Sequence, residues 1–166
     1  MSTRAIATPS NPSGLLGLYS RFARLADYFQ SPFLLIVRLY WGWQFMQTGW
    51  GKLHNLSHVR DFFSSLGIPA PGIMATGIAC LEFFGGILLI IGLGTRLIGL
   101  LQVGNMFVAY LAADREALFS FFKNPGKFYA ADPFTFLFAS IIVLVFGAGF
   151  FSLDALIARR RIAGAS

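Results

Sequence analysis

Charged residues are sparse along this chain, and the apolar runs between them have a telling length. No charge falls within 39–51, 62–81, 83–95, 97–113 or 133–153. Runs of 13 to 21 residues approach the ~20 apolar positions that a helix needs to cross a bilayer. Reading through Arg38 and Glu82 as charges within spans, the pattern predicts helices at about 33–53, 73–93, 97–113 and 133–152. Ser31-Pro32 and Asp132-Pro133 each set a capping side chain before a proline, whose missing N–H costs nothing at a first helical position. Pro71-Gly72 marks the second helix less sharply. Only Gly94, Thr95 and Arg96 separate the second helix from the third, so those two are expected to be antiparallel neighbours.

Before the first span, Leu15, Leu18, Phe22, Leu25 and Phe29 recur every three or four residues opposite Arg21, Arg24 and Asp27. This is the pattern of an amphipathic helix, expected over 15–30 on the membrane surface. Residues 1–14, with Pro9 and Pro12 and no apolar stretch, are expected to be a disordered tail and not a secretory signal. The loops at 54–72 and 114–132 carry Phe62, Phe63, Phe119, Phe121, Phe122, Phe128 and Tyr129, and both are expected to be short surface helices with rings at headgroup depth.

Composition strengthens the membrane reading. Hydrophobic residues make up 56% of the 166 and charged residues 12%, about half the charge of an ordinary soluble domain. So few charges cannot coat a soluble globule of this size. The net charge of +6 does not indicate nucleic acid, because the basic residues are scattered between apolar runs instead of forming one face. Their distribution sets orientation: seven Lys and Arg fall on the side holding both termini and five on the other, which predicts cytoplasmic termini. Arg159, Arg160 and Arg161, in a basic tail at 158–166, are expected to anchor to anionic lipid. The single cysteine, Cys80, excludes an internal disulfide and a CxxC redox pair. The expected architecture is thus all-α: a multi-pass antiparallel bundle of four helices over 31–157, preceded by the interfacial helix.

Candidate chemistry lies on the first span. Arg38, Gly42, Phe45, Gly49 and Lys52 follow one another at spacings of four, three, four and three, which puts two cations and two glycines on one stripe. Small residues let a second helix approach closely, so this stripe is expected to face inward, as are Gly85 and Gly86. Glu82, near mid-bilayer, would be costly unpaired, and Arg38 is expected to reach it directly or through water. Asn105, one turn after Gln102, stands at similar depth, either as a hydrogen-bond partner for Glu82 or a ligand, or as interhelical glue. His54 and His58, at i and i+4, have no matching third ligand and are expected to be interfacial residues without a metal. No Ser-His-Asp arrangement can be assembled, so whether the chain itself catalyses a reaction is left open.

Taken together, the stripe, Glu82 followed by Gly85-Gly86-Ile87-Leu88-Leu89, then Gly92 and Thr95-Arg96, and finally Gly147, Gly149 and Ser152-Leu153-Asp154-Ala155-Leu156, resemble the DoxX family of small four-helix membrane proteins over about 32–157. The resemblance implies a bacterial plasma-membrane protein; relatives are linked to quinone-dependent oxidoreductases and to oxidative-stress complexes. Where many members carry a histidine near the end of the third span, this chain reads Ala112-Ala113-Asp114-Arg115. The leading functional expectation is the membrane subunit of a quinone-linked redox assembly, with Arg38, Glu82 and Asn105 around a quinone, Lys52 nearer the outer mouth, and electrons supplied by another subunit. No covalently bound cofactor is expected. A non-catalytic assembly subunit at the edge of a larger complex is the alternative, and a proton or small-solute carrier working through Glu82 the third.

Overall fold

A computed structural model describes residues 14–164. The described residues are all-α: α1 (Leu15–His54), α2 (Leu56–Ser65), α3 (Pro71–Ile91), α4 (Thr95–Ala113), α5 (Arg115–Phe119), α6 (Pro125–Ala130), α7 (Pro133–Phe146) and α8 (Leu153–Ala163). The expected tail at 1–14 lies, but for Gly14, outside the described residues, as does the end of the expected basic tail at 158–166. Helix α1 packs on α3 and α7, and α4 on α3 and α7, while α2 lies on α3.

Two boundaries differ most from the expectation, while α3 and α4 start or stop within two residues of it. The break at Ser31-Pro32 is absent, because α1 runs for 40 residues with Pro32 inside it. A proline withholds one N–H, here from the carbonyl of Tyr28, and a helix tolerates that loss where surrounding groups compensate. The Ser31 hydroxyl does not cap; it accepts from the amide of Phe150 at 3.2 Å. The last long helix does not reach residue 152 but stops at Phe146. Gly147 and Gly149, at φ 75° and 71°, turn the chain into a conformation a helix cannot use. Ser152 then caps α8, its hydroxyl accepting from the amide of Ala155 at 3.1 Å.

The α1–α3 contact is made backbone to backbone. A Cβ on Gly42 would run into the carbonyl of Gly86, one on Gly49 into the backbone of Phe83, and one on Gly86 into Gly42 and Met46. These contacts set Gly49 level with Phe83 and Gly42 level with Gly86 to Ile90, and so fix the antiparallel register. The α3–α4 turn follows from Gly92, whose amide donates to the carbonyl of Leu88 at 2.9 Å with φ 71°, the left-handed stop that closes many helices.

The described residues combine a mostly apolar core with several buried polar side chains and a large exposed apolar surface. Arg38, Glu82, Gln102, Thr95 and Ser140 are among the largest fully buried side chains, whereas Phe84, Leu97, Leu100, Phe107, Phe138 and Val145 are exposed. An apolar surface with polar side chains turned inward suits lipid as the surrounding solvent. Helices α3 and α4 are long and apolar enough to cross a membrane, and α7 is apolar but only 14 residues long.

Candidate functional site

The stripe on α1 carries its two cations to different levels of the molecule, Arg38 to the α3–α4 turn and Lys52 to the middle of α3. Arg38 and Lys52 are fourteen residues apart, roughly 21 Å along a helix axis.

At the Arg38 end the cation itself is enclosed, with Arg38 1% exposed. The guanidinium donates through Nη1 to the carbonyl of Ala148 at 2.5 Å and through Nη2 to that of Phe151 at 2.6 Å. Gly92 leaves the room that the guanidinium fills, since a Cβ there would collide with Nη1. Asp154 fastens the same region from the other side. Its carboxylate accepts from the amides of Gly94 at 2.8 Å and Thr95 at 3.0 Å, and its own amide donates to the carbonyl of Gly92 at 2.9 Å. A carboxylate on the first amides of α4 satisfies orphan donors and meets the positive end of the helix dipole. The expected Arg38–Glu82 interaction is therefore absent. The glycine-set register carries Arg38 past Glu82 to the α3–α4 turn, where backbone carbonyls of the 147–152 segment take its charge.

At the Lys52 end of the stripe Glu82, midway along α3 and 1% exposed, is held by a different cation. Lys52 Nζ lies 2.5 Å from Oε1 and 2.6 Å from Oε2, and Asn105 Nδ2 donates to Oε1 at 3.0 Å. Asn105 Nδ2 also donates to Gln102 Oε1 at 3.3 Å, and Gln102 Nε2 donates to the carbonyl of Leu81 at 3.3 Å. Three helices contribute to this chain of bonds: Lys52 from α1, Glu82 from α3, Gln102 and Asn105 from α4. Gly85 lies against the Gln102 side chain, so the small residue makes room for the network.

Lys52, Glu82 and Asn105 lie in the wall of a cavity of about 350 Å³ whose other walls are apolar, from Val59, Phe62, Phe63 and Leu66 of α2 through Ile78 of α3 to Met106 and Ala109 of α4, with His58 also lining it. That volume is at the lower end of those that hold small ligands. Both α2 and α4 rest on α3, and the cavity lies between them. Of the residues expected to form one site, Glu82, Asn105 and Lys52 come together and Arg38 does not.

The α2 wall was not anticipated as part of the site; Phe62 and Phe63 read as interfacial rings. The spacing of Val59, Phe63 and Leu66, opposite Arg60 and Asp61, is the signal for a helix with a face to cover. The aromatic third loop divides. Phe128 is buried, stacked on Tyr110 with ring centroids 5.0 Å apart, and its carbonyl accepts from the Tyr110 hydroxyl at 2.8 Å, whereas Phe119 and Phe122 stand exposed. His54 is engaged locally, its Nδ1 2.9 Å from the carbonyl of Trp50.

Comparison with known proteins agrees with the residue pattern. The DoxX family profile matches residues 33–115, which include Arg38, Lys52, Glu82 and Asn105. The chain is 30% identical over 120 residues to the Bacillus subtilis (strain 168) protein named "Putative oxidoreductase CatD", covering 72% of this chain and 83% of that one. It is 25% identical over 128 residues to the Escherichia coli (strain K12) protein named "Inner membrane protein YqjF", covering 76% of this chain and 93% of that one. No solved structure gives a significant match. The profile spans half of the chain and the first relative meets it over most of both lengths, so the chain is a membrane protein of the DoxX family.

Proposed function

We propose that this chain is the membrane subunit of a quinone-linked redox assembly, with the quinone in the cleft between α2, α3 and α4. The observation that carries the reading is a small apolar cavity with one cluster of polar groups in its wall, Lys52, Glu82 and Asn105. That is the composition expected for a flat, apolar ring with a polar edge. A 350 Å³ cavity holds a ring and the start of a tail, so the rest of a prenyl chain runs out into lipid. The quinone supplies two-electron carrier chemistry. The protein orients the ring between the phenylalanines of α2 and the small residues of α4, excludes water with those walls, and holds a proton-bearing cation, Lys52, beside the carboxylate of Glu82. Electrons come from another subunit. The name of the Bacillus subtilis relative supports a redox role.

In this reading α1, α3, α4 and α7 form an antiparallel four-helix bundle in the bacterial inner membrane, as the name of the Escherichia coli relative supports. Both termini are cytoplasmic. Helix α8 meets the inner surface, the first part of α1 continues its spanning part past that surface as one helix, and Arg160 and Arg161 face anionic headgroups, while Arg159 stacks over Phe150 at 3.6 Å.

Extraction of the protein from native membrane followed by analysis of bound lipids tests the proposal. Quinone recovered with wild-type protein and lost with Glu82→Gln supports it. Absence of quinone from both, with unchanged quinone reduction in the variant strain, overturns it. A second reading, a scaffold subunit, rests on the first part of α1, where Leu15, Leu18, Phe22 and Leu25 are exposed, and on Phe122, 92% exposed. A scaffold co-migrates with a partner after mild detergent extraction, and Phe122→Ser or removal of residues 1–30 releases it.

A further inference from the structure

The polar cluster in the cleft is wired in one direction. Gln102 Nε2 donates to the carbonyl of Leu81, which turns Gln102 Oε1 toward Asn105. Asn105 must then present its amino group, and Glu82, an acceptor beside the Lys52 ammonium, requires the same orientation. An inverted Asn105 amide would set oxygen against oxygen at both Glu82 Oε1 and Gln102 Oε1, so hydrogen-bond chemistry fixes the assignment. Both uses of the Asn105 amino group are thus committed, and Asn105 Oδ1 accepts from no protein donor among the described residues. Lys52 uses two bonds on Glu82, which leaves one of its three N–H groups. With the side chain of Lys52 33% exposed and both residues lining the cleft, these two side chains together offer a ligand one donor and one acceptor.

We propose that the cleft selects a ligand head bearing a hydroxyl group on an aromatic ring over one bearing carbonyl oxygens alone. A hydroxyl accepts from Lys52 Nζ and donates to Asn105 Oδ1. A carbonyl accepts from Lys52 but turns its own lone pairs toward Asn105 Oδ1, leaving a polar group unmatched in an apolar site, and that mismatch separates close analogues more strongly than size does. The inference rests on the cleft being the ligand site of the proposed function, and within that reading it assigns the quinol as the preferred form over the quinone.

The test uses the full chain in lipid nanodiscs without oxygen, titrated calorimetrically with three probes: a decyl-substituted benzoquinone, its quinol, and 4-decylphenol. The quinol and the phenol are expected to bind about tenfold more tightly than the quinone, the factor that one ordinary hydrogen bond supplies. In Asn105→Ala the three are expected to become equal within about twofold, through loss of quinol and phenol affinity. Equal affinity of quinone and quinol in wild type overturns the selectivity and leaves the quinone site standing. Binding of the phenol with neither quinone form binding overturns the quinone reading and leaves the hydroxyl preference standing. Failure of all three to bind overturns both. Should Asn105→Ala not fold, the wild-type ranking alone decides.

Discussion

Arg38 and Lys52 sit on the same stripe of the same helix, and the structure uses them in opposite ways. Arg38 spends its planar fork on two backbone carbonyls of a segment more than a hundred residues away. Lys52 spends its charge on an ionisable side chain beside a cavity. A cation bonded to backbone groups has partners that cannot titrate or leave, so it acts as a latch. One bonded to a carboxylate in a cavity wall keeps a hydrogen-bond donor beside that cavity. Burial alone does not separate these roles; the partner does.

The largest effect is expected at the closed end. Arg38→Met removes both bonds and strands the carbonyls of Ala148 and Phe151 beside a thioether. The expected loss is ~3 kcal/mol, read as a lower thermal unfolding midpoint in detergent, with ligand affinity at the cleft unchanged in protein that stays folded. A wild-type midpoint would remove the latch, and a selective loss of ligand would erase the contrast between the two ends. At the open end, Glu82→Leu leaves the Lys52 ammonium without its carboxylate and is expected to cost ~2 kcal/mol, less than a fully buried break because Lys52 is partly exposed. The Lys52→Met, Glu82→Leu double variant should recover most of that stability and still lose the ligand. A double variant as unstable as the single would mean that the pair is structural.

Smaller effects sharpen the boundary of each region. Asp154→Ala gives up the two amide bonds at the start of α4, an N-cap loss of ~1 kcal/mol, visible as faster amide exchange at Gly94 and Thr95. Unchanged exchange would show that the carboxylate does not hold the turn. The smallest effect is expected far from both ends. The hydrogen bond and charge of Lys127 hold the Glu116 carboxyl below the usual carboxylate range, so any contribution is present at neutral pH and lost as pH falls through that lowered value. The pair is solvent-exposed and screened, so Glu116→Gln should leave the midpoint unmoved. A shifted midpoint would tie the third loop to the cleft.

How legible each region was in the sequence follows from the range of the forces involved. Helix positions could be read from charge spacing, since α3 carries a single charge, Glu82, and α4 only Arg96 at its start. Asn105 could be placed at the depth of Glu82 by counting residues along antiparallel helices. The partner of Arg38 could not be read in that way. An error of two residues in where α3 ends displaces the opposing helix by about 3 Å, enough to exchange one hydrogen-bond partner for another, and α3 stops at Ile91 because Gly92 takes a positive φ. The glycine positions contained the answer in outline: setting Gly42 and Gly49 against Gly86 and Phe83 puts Glu82 beside Lys52 without reference to helix ends. The role of Asp154 could not be read along the chain because its partners, Gly94 and Thr95, lie about sixty residues away.

Apolar run length, the stripe at helical spacing and the placement of charges thus determined by themselves that this chain is helical, that its long runs have the character of membrane helices, and that one face of α1 is set apart for burial. Those are properties of neighbours along the chain, where each residue's effect is felt within a turn or two. Which carboxylate meets which cation, and which of two buried charges borders a cavity, only the tertiary structure decided. Those outcomes depend on backbone contacts at glycines that fix one helix against another to within about a residue's rise, and a hydrogen bond fails over a smaller distance than that.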